Sequence, residues 1–172
     1  MGNGNFGGNQ LQVGFPTGTR SLKLATDRGI VLIFDEVIAF RLSYNGAQGH
    51  VGVIPDATTL GKVIGGGFPV GAVVGKTDVM AASDAGRKDR VSHAGTFNAN
   101  PVTMTAGRAT MEALTPDAYE SINAKGANMR AGLEEASAGL PLTITGAGSF
   151  FKINATARDI TDYRAAVTVD AE

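Results

Sequence analysis

Cysteine is absent from the 172 residues, and histidine is limited to His50 and His93. Disulfides, thiolate nucleophiles and zinc fingers are thereby excluded, and no metal site is expected. Charge of one sign is scarce as well. Fifteen Lys and Arg face 16 Asp and Glu, for a net charge of -1, and the longest basic cluster is Arg87-Lys88 with Arg90 nearby. A nucleic-acid or membrane-surface binder needs a larger basic footprint than this. No stretch approaches the roughly 18 unbroken apolar residues of a membrane span, and the first residues carry neither a basic start nor an apolar leader. The expectation is a cytoplasmic protein with no nucleic-acid or membrane partner. Asn154-Ala155-Thr156 fits a glycosylation sequon, which without a leader is read as chance.

What the chain does have is ordinary globular composition: 43% hydrophobic residues and a mean hydropathy of +0.03, enough for one well-cored domain. Residues 1–16 are rich in Gly and Asn and read as an exposed loop. From Thr17 to Arg28 a weak amphipathic helix is expected, closed by Gly29. Ile30 to Phe34 is a continuous apolar run, the pattern of a parallel strand buried on both faces, and it stops at Asp35-Glu36. Residues 41–57, with Gly46, Gly49, Gly52 and Pro55, read as a long irregular connection.

Thr58 to Val63 reads as a short strand ending near Lys62, followed by a sharp turn over Gly65 to Pro69. Gly71 to Gly75 is a further strand, after which Thr77 is placed to cap a short helix through Ala82. Asn100 and Pro101 mark a helix start, and Thr115-Pro116 ends that helix near Leu114. Ile122, Met129, Leu133, Ala136 and Leu140 form one apolar stripe of a second helix. Leu142 to Thr145 and Phe150 to Asn154 are strands around Gly146-Ala147-Gly148. Alternating strands and helices predict an α/β sheet, with Thr115-Pro116 as the best domain boundary.

The chemistry concentrates where an acid closes an apolar strand and a lysine follows in a Gly-rich, apolar setting. Ligands of open parallel sheets bind beyond the carboxyl ends of the strands, so Asp35 and Lys62 can share a pocket. A buried carboxylate needs a positive partner, and a protonated pyridine nitrogen is one. Lysine becomes a nucleophile where desolvation disfavours its charge, which Leu60, Val63, Ile64 and Phe68 can provide. On spacing alone, Asp35 can equally cap a loop amide and Lys62 can be a solvated strand end. Gly71 to Thr77 resembles a phosphate-binding loop, but three residues separate its glycines where four are required. Gly65 to Gly71 likewise misses the dinucleotide pattern at Val70. The segment Ala94-Gly95-Thr96 ahead of a helix start suits an anion, although Thr96 and Asn98 can equally serve turn backbone. His50 and His93 read as structural.

Four ordered stretches carry a resemblance: Leu32 to Val37; Phe40 to Ser43 with Gly46-Ala47-Gln48; Pro55 to Ala72; and Ala94 to Phe97 with Asn100-Pro101. Together they resemble the class III aminotransferases, and within them glutamate-1-semialdehyde aminomutase-like sequences. The resemblance implies the α/β fold of type I pyridoxal 5'-phosphate (PLP) enzymes. Residues 1–115 would form part of a large PLP-binding domain and its sheet, and residues 116–172 the start of a C-terminal α+β small domain. Lys62 would hold PLP as a Schiff base and move protons at the substrate, Asp35 would pair with the pyridinium nitrogen, and Val37 would pack on a ring face. Gly95 and Thr96 would bind the phosphate of a PLP held mainly by the other subunit of a homodimer. Glu36 receives a supporting place only.

The implied activity is amino-group transfer from an amino acid or amine to a keto acid or aldehyde. The alternatives are a glutamate-1-semialdehyde-type aminomutase and a catalytically inactive folding or dimerisation remnant. Relative to the family pattern, the N-terminal phosphate loop and ring-stacking aromatic are missing, so the chain is expected to be an internal fragment with uncovered apolar sheet edges.

Overall fold

The computed structural model describes residues 22–169. The loop expected over residues 1–16 and the start of the first helix lie outside them. Helix α1 occupies residues 22–27, and Gly29, at φ 63°, ends it in the left-handed conformation. Strand β1 (Ile33–Asp35) runs parallel to β2 (Ala57–Gly61), which pairs antiparallel with β3 (Gly71–Gly75), giving the order β1-β2-β3. The remaining elements are helices α2 (Gly46–Val51), α3 (Thr77–Met80), α4 (Pro101–Ala113), α5 (Pro116–Ala136) and α6 (Tyr163–Val169) and a hairpin of β4 (Thr143–Ala147) and β5 (Phe150–Asn154). The fold class is α/β, with a mixed rather than all-parallel sheet.

Several local signals behave as their chemistry dictates. Asn100 Oδ1 accepts from the amides of Val102 and Thr103, at 3.0 and 3.3 Å, while Pro101 occupies the first turn of α4. Such a cap contributes about 1 kcal/mol. Thr115 Oγ1 caps α5 by accepting from Ala118 N. α4 sits close on the 3-10 turn Lys62–Gly65 because Gly107 has no side chain: a Cβ there would overlap the carbonyl oxygen of Ile64. Thr103 is buried in the same seam and donates to Pro69 O.

Other expectations need correction. The run Ile30 to Phe34 is not buried on both faces: Ile30, Val31 and Ile33 are all at least half exposed, because β1 has a strand partner on one side only among the described residues. Residues 41–57 are not irregular, for they hold the end of a 3-10 turn (Ala39–Leu42) and α2. Thr77 lies inside α3, whose N-cap is Lys76 and makes no side-chain cap bond. α5 ends at Ala136, short of Leu140, and the expected stripe is largely exposed at Met129 and Leu140; the helix packs instead through Tyr119, Asn123, Gly126 and Arg130. That face meets the β4–β5 turn, where Arg130 donates to Gly148 O, and the 3-10 turn, where Asn123 Nδ2 donates to Leu42 O at 2.9 Å. A contact face in which Gly, Asn and Arg accompany a single aromatic, Tyr119, carries little periodic hydrophobic signal.

No described helix is long and apolar enough to cross a membrane, and no three His, Asp or Glu side chains among the described residues gather as a metal site.

Candidate active site

The parallel register aligns Asp35 with Thr59, three residues before Lys62. Thr59 Oγ1 donates to Asp35 Oδ1 at 3.1 Å, and Val37 N donates to the same oxygen at 3.0 Å. Both partners among the described residues use one carboxylate oxygen, which leaves Oδ2 able to accept from a ligand. Val37 folds back over the end of β2, where a Cβ on Gly61 would meet its Cγ1 at 3.2 Å. Asp35, Val37 and Lys62 are thus brought to one end of the β1–β2 pair, the carboxyl end expected for a ligand site.

Lys62 itself has φ 50°, in the left-handed region that side chains other than those of Gly, Asn and Asp seldom occupy. Holding such a residue costs on the order of 1–3 kcal/mol and marks functional positions. The neighbouring contacts that impose it are the ladder of β2 on one side and the turn packed on α4 on the other. Lys62 lines a cavity of about 610 Å³ together with Val37, Val63, Phe68, Pro69 and Phe150 among others, and among the described residues its only other charged lining residue is Arg41. The expected enclosure is incomplete: Lys62 is exposed and Phe68 is 46% exposed. Asp35, too, is exposed rather than buried.

The buried acid is Glu36, 1% exposed. Its Oε2 accepts from Ala47 N at 2.9 Å and its Oε1 from Gln48 N at 2.8 Å, so it caps α2 from the end of β1. A carboxylate at a helix N-terminus satisfies unpaired amides and opposes the helix dipole. Burial pushes its carboxyl above the usual glutamate range, against the opposite pull of the Gln48 and Ala47 amides. Its backbone amide donates to Thr59 O at 3.0 Å, extending the β1–β2 ladder past Asp35. The acid pair after an apolar strand was visible in the sequence; which acid turned inward was not.

Gly95 and Thr96 are not brought to this cavity. They lie in an exposed loop in which Asn98 N donates to Gly95 O at 3.0 Å and Asn98 Nδ2 to His93 O at 3.4 Å. The phosphate-loop rival has no support in the geometry, since Gly71–Gly75 is a β-strand and Lys76 Nζ is held by Asp56 Oδ1 at 2.7 Å. Among the cavity residues that the sequence did not mark as site candidates are Arg41 and Phe150. The guanidinium of Arg41 stands 4.9 Å from the Phe150 ring centroid and donates to Ser149 Oγ at 3.1 Å, a contact between residues more than 100 positions apart that no local pattern encodes.

An acid at the end of one strand and a strained lysine just past its parallel neighbour stand together at the carboxyl edge of the sheet of an α/β protein. The sequence matches the aminotransferase class-III family over residues 3–170, and the chain belongs to that family. It is 43% identical over 170 residues to glutamate-1-semialdehyde 2,1-aminomutase 2 of Bacillus velezensis, covering 97% of this chain and 39% of that one. An omega-transaminase from Sphaerobacter thermophilus superposes with a TM-score of 0.84 at 47% identity, covering 89% of this chain and 36% of that one. A solved transaminase with PLP bound gives 0.81 at 35% identity, covering 92% and 38%. The chain therefore spans well under half the length of these relatives, and its α/β fold is part of theirs.

Proposed function

We propose that the chain carries the lysine and acid of a PLP-dependent aminotransferase centre, which moves an amino group between an amino acid or amine and a keto acid or aldehyde. The observation that carries this is the strained Lys62 just past β2, at the same end of the sheet as Asp35, which closes β1 and is tethered to β2 by Thr59. The residues fit the cofactor chemically. Lys62 presents an amine in a largely apolar cavity, and Asp35 retains a carboxylate oxygen able to accept from a pyridinium N–H. Bound there, PLP supplies an electron sink for the pair left when a bond to the substrate carbon breaks.

The protein's part is positioning and proton handling. Lys62 would hold the cofactor through its amine, and its Nζ would carry a proton to or from the substrate carbon. Asp35, oriented by Thr59 Oγ1 and Val37 N, would favour the protonated form of the pyridine nitrogen. Val37, which lines the cavity, would supply an apolar surface for the ring. Gly95 and Thr96 stand in an exposed loop, which suits a phosphate contact made across a homodimer interface. In this reading residues 1–115 belong to the large domain, residues 116–172 begin the small one, and the enzyme works in the cytoplasm. An aminomutase that shifts the amino group within one substrate uses the same contacts, and the similarity to the Bacillus velezensis enzyme favours keeping it as the second reading.

Mixing the protein with PLP should produce a visible absorbance band, and borohydride should then fix the cofactor mass on the peptide containing Lys62. Label scattered over surface lysines, or none retained, would overturn the proposal for this chain and leave the inactive remnant.

A further inference from the structure

Among the described residues, Lys62 and Arg41 are the only charged residues lining the cavity, and no acid lines it. An apolar pocket with two cations and no counter-charge is suited to an anionic group. Arg41 has no carboxylate partner among the described residues: its one hydrogen bond goes to the neutral hydroxyl of Ser149, and its face lies against Phe150. Those two contacts fix the plane of the guanidinium while using one of its five N–H donors. A guanidinium oriented this way and left without an anion offers a fork that matches the two oxygens of a carboxylate.

We propose that Arg41 binds the carboxylate of the amino substrate in the cavity of Lys62, making it the residue that selects amino acids over simple amines. The inference rests on the PLP reading of Lys62 and adds the substrate class. Ser149 and Phe150 are positioning residues, holding the guanidinium in the orientation the carboxylate needs. Because both belong to the β4–β5 hairpin, substrate recognition joins two parts of the chain that are distant in sequence.

The test compares wild type with Arg41→Gln and Arg41→Lys, each first checked for an unchanged thermal melt. Calorimetry of propionate binding to the cofactor-free protein should show Kd rising roughly 10- to 100-fold in R41Q, the range for losing hydrogen bonds between charged groups, with R41K intermediate. On PLP-loaded protein, KM for 3-aminobutanoate should rise similarly while that for isopropylamine stays unchanged. Equal losses on both donors, a melt lowered in both variants with no selective change, or no change in propionate binding would overturn the proposal. Failure of borohydride capture at Lys62 with Arg41-dependent propionate binding intact would sink the cofactor reading alone.

Discussion

The carboxylate of Glu36 occupies the space that a side chain at Gly46 would need. A Cβ on Gly46 would overlap Glu36 Oε2, and Gly46 has φ 71° besides. The absence of a side chain in α2 is what lets a buried acid reach the amides of Ala47 and Gln48. Gly46→Ala should therefore combine left-handed strain with overpacking, each on the order of 1–3 kcal/mol. Urea unfolding of the variant should show a midpoint well below wild type; a shift within error would show that the acid relaxes away at little cost.

Glu36 also makes stability depend on pH. Its folded-state carboxyl is raised mainly by burial, so the folded protein keeps this proton to higher pH than the unfolded chain does. The contribution is complete below the ordinary glutamate value of about 4.3 and is lost as pH climbs through the raised folded value. Glu36→Gln should flatten that decline. It should also lower stability at every pH by about 1–3 kcal/mol, because an amide nitrogen now faces a backbone N–H that needs an acceptor. Denaturation midpoints measured across mildly acidic to neutral pH decide both points.

At position 62 stability and function should separate. Lys62→Gly removes the amine but relieves a φ of 50°, so it should lose covalent PLP capture while unfolding later than Lys62→Ala, by about 1 kcal/mol. Thermal melts of the two variants, with borohydride capture run alongside, make the comparison. Equal melts would mean the left-handed backbone carries no strain.

Asp35→Asn preserves the shape of the strand end and an oxygen for Thr59 and Val37. The protein should still fold and retain PLP to some extent, while the rate falls by about 100-fold or more, as for the removal of one preorganised charge from an active site. Thr59→Val should show a smaller loss of the same kind, since it removes only the hydrogen bond that orients Asp35. Single-turnover rates, measured with an amino donor, discriminate the two.

Gly107→Ala sets helix propensity against packing. In a free helix Ala is favoured over Gly by about 1 kcal/mol, yet here the new Cβ would overlap Ile64 O, directly beside the Lys62 turn. Overpacking should win, with a net destabilisation of about 1–2 kcal/mol visible in the unfolding midpoint.

Much of the chain could be read locally. The Asn100-Pro101 start of α4, the Thr115-Pro116 break, the strand Gly71–Gly75 and the turn after Lys62 are governed by backbone chemistry within a few residues, and each stands where that chemistry puts it. The apolar run at Ile30 misled because hydrophobicity reports a preference for burial, whereas β1 lies at an edge among the described residues. The stripe on α5 misled for the complementary reason: the helix uses Gly126, Asn123 and Arg130 to approach backbone, and such contacts have no periodic apolar signature.

The sequence by itself determined the acid after β1, the lysine after β2 and the order in which they arrive, because strand ends and Gly-rich turns are specified by neighbouring residues. Only the tertiary structure decided that Thr59 would tether Asp35, that Glu36 rather than Asp35 would turn inward, and that Arg41 would lie against Phe150. Those choices depend on strand register and on contacts between residues far apart in the chain, and a one-residue slip would undo them all.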